Sequence, residues 1–152
     1  MSYLLDTSAC IALITGTPRR VRARFARLSA AGETIAVPTV VAFELWYGAA
    51  KRSHKDTNTR RLEMFFSGPV ELLPFDDDDA RAAGEVRAAL ETAGTPIGAY
   101  DVLIAGQALR RRVTLVTANV SEFARVTGLT WEDWAAQGDR RRSTRLQGAP
   151  AP

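Results

Sequence analysis

Four short apolar runs, YLL, TIAVP, VELLPF and VTLVTA, are separated by stretches long enough and periodic enough to be helices. That alternation constrains the fold most. Strands joined by helical crossovers pair in parallel, because a parallel connection needs a dozen or more residues to return to the same edge. The pattern predicts an α/β fold: a three-layer α/β/α sandwich around a mostly parallel central sheet. Helices are expected over SACIALIT with a Ser8 cap, over 18–31 with Val21, Phe25 and Leu28 on one face, and from Pro38 to Arg52. Further helices are expected over 55–67, in ARAAGEVRAALETAG, over 99–111 and, last and short, in WEDWAAQ. VELLPF reads as a third buried strand.

The chain of 152 residues suits one domain, drawn at 1–137, with a tail at 138–152. Charge supports this division. The tail GDRRRSTRLQGAPAP carries four arginines and one aspartate, which accounts for the whole net charge of +3, so the body is neutral. The tail is read as disordered and solvated. Cys10, the single cysteine, cannot form an internal disulfide, and the longest charge-free run, 7–18, is too short for a membrane helix. A cytoplasmic protein with no membrane association is expected.

Three acids stand out by their isolation. Asp6 is the sole charged residue between Met1 and Arg19, Glu44 between Glu33 and Lys51, and Asp101 between Glu91 and Arg110. Each falls at the end of an expected strand or inside the helix that follows a strand or loop, and in a parallel sheet the ends of strands and the starts of helices converge on one crevice at the carboxyl edge. Burying unpaired carboxylates together is costly, through desolvation and mutual repulsion, and a divalent cation relieves both costs. Oxygen ligands suit Mg²⁺ or Mn²⁺, and no Cys/His set exists for zinc. Thr7, Ser8, Thr117 and Asn119 are placed to orient ligands. His54, in KRSHKD, reads as a solvated loop residue, and Asp76–Asp79 as a helix cap and first turn facing the helix dipole.

Carboxylates holding such an ion are equipped for phosphodiester hydrolysis. A dehalogenase-type phosphatase would need a second Asp where Ser8 stands, and a receiver domain a lysine near its Asp, whereas Lys51 and Lys55 sit together by a helix end. A non-catalytic binding module is the competing class.

The pieces LLDTSACIAL, VPTVVAFELWYGAAKR, PIGAYDVLIAGQAL and LVTANVSEFARVTGL, in that order, resemble the PIN-domain ribonucleases and, within them, the VapC toxins of toxin–antitoxin pairs. The resemblance covers about residues 2–135. It implies an Mg²⁺- or Mn²⁺-dependent endoribonuclease acting on RNA, a homodimer, and inhibition by a VapB-type antitoxin. A PIN nuclease serving RNA processing or repair without an antitoxin is the alternative. Asp6, Glu44 and Asp101 match the family's metal-binding acids, and Asn119 falls where many members carry a fourth; Glu122, one turn later, reads as a surface residue. In such toxins the antitoxin tail lies over the crevice. Phe43, Trp46 and Tyr47 are open to three assignments: core, a second subunit, or the antitoxin. With a neutral body, RNA phosphates are expected on the arginine face formed by Arg20, Arg24 and Arg27.

Overall fold

The computed structural model describes residues 2–137 and 140–142. Strand β1 (Ser2–Leu5) leads into α1 (Thr7–Thr15) and α2 (Arg19–Ala30), then β2 (Thr34–Pro38) into α3 (Thr39–Lys51) and α4 (Lys55–Phe66). After β3 (Glu71–Leu73) come α5 (Asp77–Thr92), α6 (Ala99–Arg111), β4 (Thr114–Val116), α7 (Val120–Phe123), β5 (Trp131–Asp133) and β6 (Arg140–Arg142).

The sheet order is β3-β2-β1-β4-β5-β6, parallel through β5 and closed at one edge by antiparallel β6. Leu4 and Leu5 on β1 and Leu115 on β4 have no exposed surface, as expected of central strands covered on both faces. The crossovers β1→β2→β3 travel toward one edge, and β3→β4 returns past β1. Right-handed connections therefore place α1–α4 on one face of the sheet and α5 and α6 on the other. The direction reverses between β1 and β4, which leaves a crevice at their carboxyl ends.

On the second face, α5 and α6 approach until their backbones nearly touch. A Cβ built on Gly106 would lie 2.4 Å from the Ala83 Cα, so no side chain fits there. The same pair is tied at its end by charge. Asp76 caps α5 in a reciprocal capping box with Asp79, and the Asp79 side chain turns inward, fully buried, to accept from Gln107 Nε2 and from Arg111. Burial opposes the Asp79 charge, but the hydrogen bonds from Arg111 and the Asp76 N–H, with the charges of Arg111 and Arg110, hold its carboxyl below the usual range. The Asp76–Asp79 run is a cap as expected, but its last member is a buried ion-pair residue and not a solvated acid.

Other expectations are corrected. WED is a strand beside β4 and not a helix, because the parallel register Leu115–Trp131 buries both residues there. Strand β3 is an exposed edge, with Leu72 about half exposed. The cap of α1 is Asp6, two residues ahead of the expected Ser8. Within the tail read as disordered, Arg140–Arg142 run as β6 along β5; the rest of that expectation lies outside the described residues. Among the described residues no helix is long and apolar enough to cross a membrane.

Candidate active site

Asp6 is placed by two elements at once. Its backbone N–H continues the β1–β4 pairing by donating to Val116 O at 3.0 Å, and its side chain caps α1 by accepting from Ala9 N at 2.8 Å. The Ser8 hydroxyl donates to the same carboxylate at 2.6 Å, and the Thr117 hydroxyl, from the end of β4, donates to its other oxygen. Only 4% of Asp6 is exposed. Burial pushes its carboxyl up, the hydrogen bonds from Ser8, Thr117 and Ala9 pull it down, and the nearby charge of Glu44 pushes it up again; the net direction is upward.

Glu44 projects from α3, where Thr7 on α1 donates to its Oε1 at 2.9 Å. Asp101 sits in the first turn of α6. Burial, its hydrogen bond with the Glu122 carboxyl, and the charges of Glu122, Asp6 and Glu44 raise it to about 7. Asn119 lies between the strands' ends and these acids: its N–H donates to Thr117 Oγ1 at 2.9 Å, and its Nδ2 donates to Asp101 at 3.2 Å and to Glu122 at 3.1 Å. A chain of hydrogen bonds thus runs from Asp6 through Thr117 and Asn119 to Asp101 and Glu122.

Glu122 reads from the sequence as a surface residue; it does stay partly exposed, but its carboxyl also reaches in, accepting from Asn119 Nδ2. Its carboxyl is held in the ionised form by the hydrogen bond with Asp101, by Asn119 and by the Gly98 N–H. The sequence signal was present in NVSE: an Asn at a helix N-cap with Glu three residues on, a spacing that brings the two side chains together. Asp6, Glu44, Asp101 and Glu122 therefore form one electrostatic neighbourhood. Among the described residues none of the four is in an ion pair within 4 Å. Nor do any three Asp, Glu, His or Cys side chains among the described residues close into a metal-ligand cluster. The acids are neighbours facing one crevice, not a preformed cage.

Their chemistry fits a hard divalent cation. Asp6 and Asp101 are raised by burial and by neighbouring carboxylates, and only oxygen donors are at hand: Cys10 is buried with its thiol pushed up by burial, while His54 is exposed at the start of α4.

The remaining candidates separate. Arg24 turns back to the body, donating to Glu132 at 3.0 Å and lying 5.9 Å from the centre of the Trp134 ring. It holds α2 against the end of β5, so the expected phosphate-binding face loses its middle member; Arg20 and Arg27 stay exposed. Trp46 stacks on Phe66 of α4 at 5.7 Å. Phe43 and Tyr47 do not enter the core: they are 54% and 57% exposed, and Phe43 meets Tyr100 of α6 at 5.7 Å.

Residues 3–129 match the family model described as the PIN domain. A tRNA(fMet)-specific endonuclease VapC of Salmonella typhimurium is 37% identical over 134 residues, 88% of this chain and 98% of that one. Among solved structures, VapBC2 from Rickettsia felis, bound to a DNA fragment from its promoter, superposes with a TM-score of 0.83 at 36% identity, covering 88% of this chain and 99% of that one. VapBC-1 from nontypeable Haemophilus influenzae superposes with a TM-score of 0.80 at 30% identity, covering 90% and 100%.

Proposed function

Because this chain belongs to the PIN-domain family and aligns with VapC ribonucleases over nearly their whole length, we propose that it is a divalent-metal-dependent endoribonuclease, the toxin of a toxin–antitoxin pair. The observation that carries the reading is the convergence of Asp6, Glu44, Asp101 and Glu122 on the β1/β4 crevice without an ion pair among the described residues.

Asp6, Glu44 and Asp101, with Glu122, would hold Mg²⁺ or Mn²⁺. When bound, such an ion neutralises a phosphodiester, lowers the pKa of a coordinated water and stabilises the departing oxygen. The chain's own residues do the positioning. Ser8, Thr117 and the Ala9 N–H, all donors, favour Asp6 in its ionised, ligating form, and the Thr7 hydroxyl orients Glu44 by donating to its Oε1. Asn119 sets the spacing of Asp101 and Glu122 with one amide. Arg20 and Arg27 supply phosphate contacts away from the acids.

The solved relatives are complexes of a toxin with its partner, and we assign this chain a small VapB-type antitoxin, homodimeric assembly and a cytoplasmic setting. The relative named for tRNA(fMet) makes an initiator tRNA transcript the first substrate to try. The purified chain should cut it with Mn²⁺ or Mg²⁺, stop with EDTA, and stop when Asp101→Asn is introduced. An intact transcript under all metal conditions would sink the nuclease reading and favour the binding-module class.

A further inference from the structure

From Glu44 a groove of about 670 Å³ leads away from the acids between α1, α3 and α4. Its floor is apolar, with Ile11, Ile14 and Leu62, and Phe43, Tyr47 and Tyr100 stand along it. Its far end carries Lys51, Arg52 and Arg61, all exposed and none in an ion pair among the described residues. Glu44, Tyr47, Gly48 and Lys51 recur at helical spacing and all line the groove, so one stripe of α3 joins the acid site to the cationic end over about 10 Å.

That order of chemistry fits a polyanion with flat bases. Cations that track a backbone beside aromatic rings are how single-stranded nucleic acid is held without reading its sequence. The Lys51 ammonium lies 5.6 Å from the centre of the Tyr47 ring, which sets a phosphate-binding charge beside an exposed aromatic surface. The groove is also continuous with the acids, since Thr7 and Glu44 line it while belonging to the crevice.

We infer that this groove binds the single-stranded RNA flanking the cleaved phosphodiester, with bases against Tyr47, Phe43 and Tyr100 and phosphates on Lys51, Arg52 and Arg61. The inference rests on the endoribonuclease reading and adds to it the path of the strand. Gly48 belongs to the design: a Cβ there meets nothing within 4 Å, so the missing side chain leaves room for the ligand.

The test is binding of 5′-fluorescein-labelled decauridylate to the Asp101→Asn protein across a salt series. Replacing Lys51, Arg52 and Arg61 by alanine should lower the log–log salt slope by about 2, since each phosphate contact contributes about 0.7 on a single strand. Tyr47→Leu should weaken binding roughly 5- to 150-fold, and Tyr47→Phe should restore it. Gly48→Leu should weaken binding without lowering the melting temperature, which separates a filled groove from a damaged fold. Unchanged affinity and slope across these variants would overturn the inference and leave the groove to a protein occupant. Metal-dependent cleavage by the unsubstituted chain reports separately on the nuclease reading, so the two fail in distinguishable ways.

Discussion

The carboxyls of Asp101 and Glu122 share a single donor: Asn119 Nδ2 lies 3.2 Å from one and 3.1 Å from the other. An amide in this position spaces two acids without adding charge. Asn119→Ala is expected to reduce cleavage by roughly 10- to 100-fold, the usual cost of losing a residue that orients metal ligands. The check is a metal titration of the rate, in which the variant needs more Mn²⁺ for half-maximal activity; an unchanged metal requirement would argue against the positioning role.

The Asp101 carboxyl, raised to about 7 by burial and by Glu122, makes stability depend on pH. Between its unfolded value near 3.8 and about 7, the folded state binds more protons than the unfolded one. Stability therefore falls as pH rises through that window and levels above it. In EDTA, melting curves should move to lower temperature from pH 5 to pH 8. Asp101→Asn should reduce the slope, and Mn²⁺ at pH 8 should recover the loss by binding the folded state. A melting temperature that rises steadily over this range would contradict the assignment.

Asp79 is fully buried between Gln107 and Arg111. Asp79→Ala strips their shared acceptor and should cost about 3 kcal/mol, near the low end for breaking a buried pair because Arg111 is partly solvated. Denaturant midpoints measure this. With its carboxyl held below the usual range, the contribution of Asp79 is present above pH 3.8 and is lost as pH falls through its lower folded value. The variant should accordingly show a weaker acid-side loss than the parent.

Two glycines inside helices should respond oppositely to alanine. Gly106→Ala puts a methyl 2.4 Å from the Ala83 Cα, backbone that cannot swing aside, and should destabilise by at least about 1–3 kcal/mol. Gly48→Ala meets nothing and should stabilise by up to about 1 kcal/mol through helix propensity alone. Equal shifts of the same sign in thermal melts would refute the close approach of α5 and α6.

Much of this protein was legible in the residue order because it depends on local periodicity. Short apolar runs between amphipathic stretches specify parallel strands and their crossovers, and the placement of Asp6 at a strand end and of Glu44 and Asp101 within helices that follow a strand or loop comes from that reading. Tertiary structure decided what depends on partners distant in sequence. WED reads equally as a helix or a strand until Trp131 pairs with Leu115. Arg24 belongs to a basic helix face until Glu132, more than a hundred residues later, captures it. Glu122 is an ordinary surface acid until Asn119 and Asp101 close around it, and Asp79 one of four equivalent aspartates until Arg111 draws it inside. Periodicity reports which face a residue takes within its own element; only the packing of elements determines which charge it meets, and that encounter sets its ionisation and its chemistry.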